Sequence, residues 1–441
     1  MTKSSQKNMQ TMVSHPGSQV SGTTKVPGDK SISHRSLMLG AIANGETVIR
    51  GFLAGEDCLA TMSALRQLGV HIESQDAEHI RIRGVGLHGL RASDADLDMG
   101  NSGTGMRLMA GLLAGQAFKS TLTGDSSLQS RPMERVAEPL RRMGAQVETA
   151  NGKAPLVVGG GALQAIEFTS PVASAQLKSA VLLAGLYASG TTAVTETGIT
   201  RDHTERMLEQ FGAQPQRRKQ FASVTGPAEL QGTTIDVPGD LSSAAFVLAA
   251  GLLAGNDHVQ VDNVGINPTR TGVLDVLRLM GADIEVISND ASAAEPIATL
   301  IARKSNLVGA DVPPEYVPLA IDELPLIFAL AACAEGETVI TGAEELRHKE
   351  SDRIAIMAEG LRNLGVAIEE FEDGLRITGG PVSGGTINSH GDHRIAMAFS
   401  VIALVALGPI TILDTANVAT SFPDFGGVMR RIGLDVQEQT T

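Results

Sequence analysis

The sequence predicts an α/β (α+β) protein of two lobes, and two interleaved repeats lead to this fold class. An Ala/Leu-rich helix that stops at a Gly before a β-branched strand recurs six times in the 441 residues. A second, amphipathic helix that ends in a hydrophobic–Gly step before another strand alternates with it, also six times. Because a Gly just past a helix end commonly adopts the left-handed conformation, both series mark transitions from helix to strand.

These transitions define six small α/β units, each with two helices and several strands. The glycines of the first series are Gly45, Gly115, Gly190, Gly255, Gly336 and Gly408, and those of the second are Gly69, Gly144, Gly212, Gly281, Gly365 and Gly433. The units are longer than the roughly 20 to 50 residues of the common solenoid repeats. We therefore expect compact units rather than a solenoid.

A longer repeat groups the six units into two lobes. The motif Val-Pro-Gly-Asp occurs at residues 26–29 and again at residues 237–240, each time before a Ser-containing helix start. Pro and Gly together punctuate a chain, so the two motifs predict crossings between lobes. The lobes would comprise residues 27–238, and residues 13–26 plus 239–441, after a flexible N-terminus of residues 1–12. A cleft between such lobes is a natural ligand site.

Charge and aromatic content argue against a nucleic-acid-binding protein. The formal net charge is −14, only 3% of the residues are aromatic, and Trp is absent. Proteins that bind nucleic acids neutralise phosphates with Lys and Arg and often stack bases on aromatic rings. The apolar run at residues 395–407 is too short to cross a bilayer, so we expect neither nucleic-acid binding nor membrane association.

Cysteine spacing and the absence of a metal motif predict a cytoplasmic protein without metal or cofactor. Cys58 and Cys333 form no CxxC motif and are expected to be buried thiols in a reducing compartment. No His, Cys and carboxylate cluster has a metal-binding spacing. Residues 84–89 match GxGxxG, but a polar, Asp-rich segment follows them instead of the helix that a dinucleotide site requires.

Polar and basic residues recur at the predicted helix starts of both lobes. Backbone N–H groups and the dipole at a helix N-terminus favour an anion, and Arg and Lys add charge. The residues are Lys30, Ser31, Arg35, Gly103, Arg107, Ser174, Gln176, Lys178, Arg201, Lys349, Glu350, Arg353 and Arg394, with Arg131 in a loop between repeats. Together they predict a pocket for a substrate with several negative charges.

Ten ordered motifs make the chain resemble the EPSP synthase family from near residue 20 to near residue 435. The motifs are PGDKSISHR, GNSGTGMRL, RPM, SAQLKSA, RDHTE, NPTR, IDELP, KESDR, GDHRIAM and TSFPDF. The segments at 28–31, 174–178, 201–205 and 267–270 are similar to the markers of the subgroup called class II. The resemblance implies a two-lobed inverse α/β barrel of six βαβαββ units, three per lobe, and we expect a monomer.

The resemblance also implies an activity and residue roles. Phosphoenolpyruvate would give its enolpyruvyl group to the 5-hydroxyl of shikimate 3-phosphate. Shikimate 3-phosphate would be held by Lys30, Ser31, Arg35, Ser174, Gln176, Arg201, Asp322 and Lys349. Phosphoenolpyruvate would be held by Lys30, Gly103, Arg131, Gln176, Arg353 and Arg394. Asp322 and Glu350, with Lys30, would move protons.

Two positions depart from the pattern of the family. Many members carry a Lys just before the Phe-Pro step near the C-terminus, where this chain has Ala419, Thr420 and Ser421. One anion contact of the family is therefore not expected here. Many class II members carry Ala in the place of Gly103, beside the site where the family binds phosphoenolpyruvate and the inhibitor glyphosate.

Three alternative functions fit the sequence less well. The related transferase that acts on UDP-N-acetylglucosamine usually carries a reactive Cys in the loop where Arg131 and Pro132 stand here. An RNA 3′-phosphate cyclase would need a nucleotide-accepting His and a nucleic-acid face, which the charge of −14 disfavours. A protein that only binds anions would not need the carboxylates of Asp322 and Glu350 among cations.

Overall fold

A computed structural model describes residues 10–290 and 294–440 and divides them into two compact units. Unit I comprises Pro27–Pro238 together with residues 294–295. Unit II comprises residues 10–26, 239–290 and 296–440. Each unit has its own hydrophobic core. Among the described residues, no helix combines the length and the hydropathy that a bilayer crossing requires.

Thirteen α-helices occur in the described part of the chain. They are α1 (Lys30–Ile42), α2 (Glu56–Gln67), α3 (Gly103–Leu113), α4 (Ser126–Ser130), α5 (Glu134–Arg142), α6 (Ala175–Gly185), α7 (His203–Gln210), α8 (Leu241–Ala254), α9 (Gly272–Leu279), α10 (Leu324–Cys333), α11 (Arg353–Asn363), α12 (His393–Ile402) and α13 (Phe425–Arg431). Short 3₁₀ helices span Glu344–His348, Ala403–Val405 and Ala416–Thr420.

The described residues also form twenty-three strands. They are β1 (Gln10–Ser14), β2 (Val20–Thr24), β3 (Asn44–Arg50), β4 (His71–Ser74), β5 (Ile80–Val85), β6 (Leu97–Asp98), β7 (Lys119–Thr123), β8 (Gln146–Ala150), β9 (Lys153–Gly159), β10 (Glu167–Thr169), β11 (Gly190–Thr195), β12 (Gln216–Arg218), β13 (Phe221–Gly226), β14 (Thr234–Asp236), β15 (Gly255–Gly265), β16 (Asp283–Asp290), β17 (Ile297–Arg303), β18 (Glu337–Ile340), β19 (Ala367–Phe371), β20 (Gly374–Thr378), β21 (Gly385–Asn388), β22 (Ile410–Leu413) and β23 (Val436–Thr440).

The three sheets of unit I share one topology. Two of them, ordered β6-β7-β9-β8 and β10-β11-β13-β12, follow the chain as βαβαββ, with the first two strands parallel and the others antiparallel. The third, β14-β3-β5-β4, takes its first strand from the end of the unit. A parallel pair needs a crossover, and the helix between its strands supplies one in the first two sheets.

Unit II repeats this topology, but two of its sheets include a strand from the N-terminal part of the chain, β1 or β2, beside strands that come much later in sequence. Its sheets are ordered β16-β17-β15-β2, β18-β20-β19 and β21-β22-β1-β23. In the second of these, parallel bridges from Val308 to Glu335 and from Asp311 to Val339 stand where a first strand would lie. The six sheets of the described residues therefore follow one βαβαββ plan, as expected from the sequence.

Residues 10–12, which were expected to belong to a flexible N-terminus, form part of strand β1 instead. Met12 pairs with Ile412 on one side and with Glu438 on the other, so the strand is central in its sheet. Met12 is also buried in the core of unit II. The segment has no strong periodicity, and both of its partners lie near the other end of the chain, which explains the incorrect expectation. Residues 1–9 lie outside the described residues.

The first helix of each repeat is buried on almost every side. Helix α8 is buried from Leu241 to Leu253, and α1, α3, α6, α10 and α12 are similarly enclosed after their first turn. A helix that is hydrophobic all round must be covered on all faces. The second helices are amphipathic, and α5 buries only Val136, Ala137, Pro139 and Leu140. The Ala/Leu-rich series therefore forms the interior of both units.

The two glycine series differ in conformation. All six glycines of the second series have positive φ, such as 88° at Gly69, and end their helices as predicted. In the first series Gly115, Gly255 and Gly408 do not adopt positive φ, so the prediction of a left-handed cap is wrong there. At Gly115 an added Cβ would lie 2.1 Å from the Tyr187 ring, and close packing explains that glycine.

Candidate active site

The helix starts of unit I are capped by short polar side chains. The carboxylate of Asp29 accepts a hydrogen bond from the Ile32 N–H at 2.9 Å and caps α1. Ser102 caps α3 in the same way, and Ser174 caps α6. Such caps leave the remaining N–H groups of the first turn available to a ligand.

Arg35 is a buried cation that hydrogen-bonds only to neutral oxygens among the described residues. Its guanidinium donates to Thr204 Oγ1 and Ser179 Oγ, both at 2.7 Å, and to the Ser31 carbonyl at 2.8 Å. Burial lowers the pKa of Arg35 to about 10, against the opposing charge of Glu205. Arg35 therefore remains charged near neutral pH without a carboxylate bonded to it, as an anion site requires.

Arg107 and Arg131 flank Gly103 at the start of α3. Arg107 Nη1 donates to Gln176 Oε1 at 2.5 Å, and Arg131 Nη2 donates to Asn101 Oδ1 at 2.5 Å. A Cβ added to Gly103 would lie 3.1 Å from Nη1 of each arginine. The glycine thus allows two guanidinium groups to approach the same backbone.

Lys30, at the first position of α1, faces a carboxylate of α2. Its Nζ lies 3.0 Å from Asp57 Oδ2, and both side chains are largely buried. Gln176 connects two neighbouring helix starts, since its Nε2 donates to Thr104 Oγ1 at 2.9 Å. Six of the predicted binding residues of unit I thus lie on or beside α1, α3 and α6: Lys30, Ser31, Arg35, Gly103, Ser174 and Gln176. Arg131 directly follows α4, and Arg201 lies just before α7.

Behind these residues lies an ion cluster that the sequence did not predict. Lys178 Nζ is 2.9 Å from Glu196 Oε2 and 2.9 Å from Glu205 Oε1, and all three side chains are at most 3% exposed. Burial alone would lower the pKa of Lys178, but the two carboxylates outweigh it and raise the pKa above 10.5. Lys178 was singled out for its place on α6; its partners lie too far along the chain to be recognised.

His203 makes a buried contact within unit I. Its Nδ1 lies 2.7 Å from Glu295 Oε1, and both side chains are buried. The described residues contain no group of three His, Cys, Asp or Glu side chains that could hold a metal ion. Cys58 and Cys333 are not joined in a disulfide, and burial raises the pKa of Cys333 to about 12.

In unit II, Asp322 faces three cations. Its Oδ1 lies 3.6 Å from Lys349 Nζ and 3.6 Å from Arg353 Nη1, and its Oδ2 lies 3.9 Å from Arg394 Nη2. Arg394 Nη1 also donates to the Asp322 carbonyl at 2.8 Å, which fixes the backbone of this residue. The side chain of Asp322 is 15% exposed, so it is accessible to a ligand.

Arg353 is the most strongly held cation of this group. Its Nε lies 2.8 Å from Asp392 Oδ2, and its Nη2 lies 2.7 Å from Glu350 Oε2. Burial opposes the charge, but Asp392, Glu350 and Asp322 together raise the pKa of Arg353 above its usual range. The carboxylate of Asp392 also caps α12, beside Arg394, so one acid orients two predicted binding residues.

Lys349 and Glu350 were expected inside a helix start, and this expectation is wrong. Helix α11 begins at Arg353 with Asp352 as its cap, and Lys349 ends the 3₁₀ helix Glu344–His348 with an extended backbone. Arg347 explains the difference, because its Nη1 donates to Asp352 Oδ2 and ties that residue to the 3₁₀ helix. Lys349 still reaches Asp322 from this position.

Unit II also contains a buried network that the sequence did not predict. Arg270 Nη2 lies 3.1 Å from Asp240 Oδ1, 2.7 Å from Ser242 Oγ and 3.5 Å from Glu323 Oε1. Glu323 is 2% exposed and follows Asp322 directly, and Arg394 Nη1 lies 3.8 Å from it. The NPTR motif that contains Arg270 was the signal that this position carries a special contact.

The charged residues described for unit I and those described for unit II differ in the balance of cations and acids. In unit I the six cations named above outnumber the acids, which are Asp29, Asp57, Glu196, Glu205 and Glu295. In unit II the acids, Asp240, Asp322, Glu323, Glu350 and Asp392, outnumber the cations, Arg270, Lys349, Arg353 and Arg394. The first group suits anion binding, whereas the second can hold an anion and also exchange protons. Thr420, where the family often has Lys nearby, is buried and donates to the Asn417 carbonyl at 2.7 Å.

These features define the class: an α/β protein of six related repeats with clustered cations and carboxylates at its helix starts. Comparisons with known proteins identify the family. The family model described as EPSP synthase (3-phosphoshikimate 1-carboxyvinyltransferase) matches residues 14–429, and the chain belongs to this family.

Relatives and solved structures agree with this assignment. The chain is 55% identical over 419 residues to the 3-phosphoshikimate 1-carboxyvinyltransferase of Acidithiobacillus ferrooxidans, covering 95% of this chain and 97% of that protein. It is 56% identical to that of Methylococcus capsulatus over 424 residues, covering 96% and 97%. The structure of an Acinetobacter baumannii EPSP synthase matches with a TM-score of 0.87 and 50% identity, covering 98% of this chain and all of that one.

Proposed function

We propose that the protein transfers the enolpyruvyl group of phosphoenolpyruvate to the 5-hydroxyl of shikimate 3-phosphate. The observation that carries this proposal is Asp322, a partly exposed carboxylate within 4 Å of Lys349, Arg353 and Arg394. Such a group combines charge neutralisation for anionic substrates with a base. The names of the relatives, which share more than half of their residues with this chain, support the same reaction.

The reaction balances as an addition followed by an elimination. The 5-hydroxyl oxygen bonds to C2 of phosphoenolpyruvate, its proton goes to a base, and C3 gains a proton. The tetrahedral intermediate then loses phosphate: the bond between C2 and the phosphate oxygen breaks, and C3 gives up a proton as the double bond forms again. Cations must stabilise the phosphate throughout, and carboxylates must carry the protons.

The residue roles proposed here are those that the resemblance to the family implies, and the clusters of charged side chains in the two units support them. We assign shikimate 3-phosphate to Lys30, Ser31, Arg35, Ser174, Gln176, Arg201, Asp322 and Lys349. We assign phosphoenolpyruvate to Lys30, Gly103, Arg131, Gln176, Arg353 and Arg394. Asp322, Glu350 and Lys30 would transfer protons. The ion pairs of Asp322 and Glu350 with Arg353, and of Lys30 with Asp57, would orient these three groups.

The proposed reaction uses no metal and no cofactor, because proton transfer and charge neutralisation suffice for it. We propose that the protein acts in the cytoplasm as a monomer. The lack of a disulfide between Cys58 and Cys333 is compatible with a reducing compartment. Sedimentation of the purified protein would test the oligomeric state.

The activity is tested by measuring phosphate release. We expect the purified protein to release phosphate from phosphoenolpyruvate only when shikimate 3-phosphate is present. Turnover with UDP-N-acetylglucosamine in its place would contradict the proposal. Absence of turnover with either acceptor would leave a protein that only binds anions.

Replacing Arg131 by Ala is expected to weaken phosphoenolpyruvate binding. Loss of a hydrogen bond to a charged group costs about 1.5 to 3 kcal/mol, so KM for phosphoenolpyruvate should rise about ten- to a hundred-fold. Arg91, at an exposed position of the same unit, provides a control in the Arg91→Ala variant. An unchanged KM in Arg131→Ala would remove this residue from the site.

Replacing Gly103 by Ala is expected to weaken the binding of the inhibitor glyphosate more than the binding of phosphoenolpyruvate. The added methyl group would lie 3.1 Å from guanidinium nitrogens of both Arg107 and Arg131, so both must shift by a few tenths of an ångström. Glyphosate is the longer ligand, so the narrower space should reduce its affinity more than that of phosphoenolpyruvate. Inhibition constants of both variants against phosphoenolpyruvate measure the effect, and equal constants would show that Gly103 does not determine inhibitor binding.

A further inference from the structure

His34 is a buried imidazole that connects three helices of unit I. It lies on α1 between Lys30 and Arg35 and is fully buried. Its Nδ1 is 2.9 Å from Thr61 Oγ1 on α2, and its Nε2 is 3.3 Å from Ser102 Oγ, the cap of α3. The proposed mechanism gives this residue no role, although it contacts the helices that carry candidate residues for both substrates.

The hydrogen bonds around His34 define its tautomer. The Thr61 hydroxyl donates to the Asp57 carbonyl at 3.4 Å, so its oxygen accepts from a proton on Nδ1. The Ser102 oxygen accepts from the Gly105 N–H at 2.9 Å, which leaves the hydroxyl proton free to point at Nε2. A neutral imidazole with its proton on Nδ1 satisfies every one of these groups.

The charges near His34 favour the same neutral state. Burial, followed by the charges of Lys30 and Arg35, lowers the pKa of His34 well below its ordinary value. A second ring proton would point at the Ser102 oxygen and displace the hydroxyl proton from Nε2. The neutral ring therefore keeps the Ser102 hydroxyl in one orientation.

The orientation of Ser102 affects the residues on either side of it. Asn101 accepts from Arg131 at 2.5 Å, and Gly103 lies beside the guanidinium groups of Arg107 and Arg131. The other end of the imidazole, through Thr61, adjoins Asp57, which holds Lys30 at 3.0 Å. One side chain thus links the start of α3 to the region that holds Lys30.

We infer that His34 is a positioning residue: its neutral ring holds the start of α3, with Gly103 and Arg131, in register with α1. The inference rests on the proposed function, in which the start of α3 holds phosphoenolpyruvate. Loss of the hydrogen bond between His34 and Ser102 should therefore weaken the binding of phosphoenolpyruvate more than the binding of shikimate 3-phosphate. A residue that only filled the core would affect both substrates alike.

Two substitutions separate the ends of the ring. In His34→Asn the amide reaches the place of Nδ1 and keeps the Thr61 contact, but it cannot reach Ser102. In His34→Gln the amide oxygen reaches the place of Nε2 and can accept from Ser102. We expect KM for phosphoenolpyruvate to rise several-fold to about tenfold in His34→Asn, as for a lost neutral hydrogen bond. KM for shikimate 3-phosphate should change less than about twofold, and His34→Gln should lie closer to the wild type.

Ser102→Ala removes the same bond from the other side and serves if His34→Asn folds poorly. Ser102→Ala also removes the cap of α3, so we expect at least the same rise in KM for phosphoenolpyruvate. Adding His34→Asn to Ser102→Ala should cause no further rise, because the bond that His34→Asn breaks is already absent. Ser36→Ala is the matched control, since Ser36 is buried on the same helix and its hydroxyl bonds, among the described residues, only to the Ile32 carbonyl. Its kinetic constants should equal those of the wild type.

The outcomes distinguish this inference from the proposed function. A wild-type protein without turnover on shikimate 3-phosphate and phosphoenolpyruvate would contradict the proposed function itself. With an active wild type, equal changes in both KM values, or no change in His34→Asn and Ser102→Ala, would overturn the positioning role. Additive effects in the double variant would overturn it as well.

Discussion

Replacing Asp322 by Asn is expected to lower turnover about 10²- to 10⁴-fold while substrate binding remains largely intact. The amide keeps the shape of the side chain but cannot accept the hydroxyl proton. Lys349, Arg353 and Arg394 remain in place around it to hold the anionic substrates. Steady-state kcat and both KM values of the variant measure the effect.

Asp275→Asn is a suitable control for this prediction. Asp275 lies on α9 of the same unit, is partly exposed and pairs only loosely with Arg278 at 3.5 Å. The same chemical change should leave kcat unaltered there. If Asp322→Asn kept near-normal turnover, the proton role of Asp322 would be wrong, and Glu350→Gln and Lys30→Met would test the two remaining candidates.

Replacing Lys178 by Met is expected to destabilise unit I by about 3 to 5 kcal/mol, as for other broken buried ion pairs. The variant leaves the carboxylates of Glu196 and Glu205 buried without their shared cation. Denaturant-induced unfolding measures the change. Because the pKa of Lys178 is raised, its contribution is complete below pH 10.5 and declines only as the pH rises through the folded-state pKa. The loss should therefore be constant near neutral pH.

Lys119→Met provides the matched control for the buried lysine. Lys119 pairs with Glu148 at 4.0 Å, and both side chains are well exposed. Exposed pairs contribute roughly 0 to 1 kcal/mol, so this variant should unfold almost like the wild type. Equal losses in the two lysine variants would show that the buried cluster carries no special stability.

The repeats and the helix starts could be predicted because they depend on local sequence. Helix propensity, a capping residue and a following Gly all lie within a few positions of each other. The starts at α1, α3, α6 and α12 agree with their motifs for this reason. Lys349 and Glu350 were misplaced because the tie between Arg347 and Asp352 shortens the helix, and no local pattern indicates such a contact.

The side-chain networks could not be predicted because their members are distant in sequence. Lys178 and Glu205 are 27 positions apart, and Arg270 and Glu323 are 53 apart. Motifs mark which residues are special but do not say which of them meet. His34 stood inside the motif PGDKSISHR, yet its contact with Ser102 depends on how α1 packs against α3.

Strand β1 has consequences for the order in which the chain acquires structure during synthesis. Its two neighbours are β22 and β23, so residues 10–14 lack a first partner until the ribosome has added residue 413 and a second until it has added residue 440. At roughly 5 to 20 residues per second this delay is about 20 to 90 s. Unit I, which is nearly continuous from Pro27 to Pro238, has all its strands much earlier. Unit I should therefore fold before unit II is complete, and strand β1, although it is made before unit I, should be among the last elements to pair.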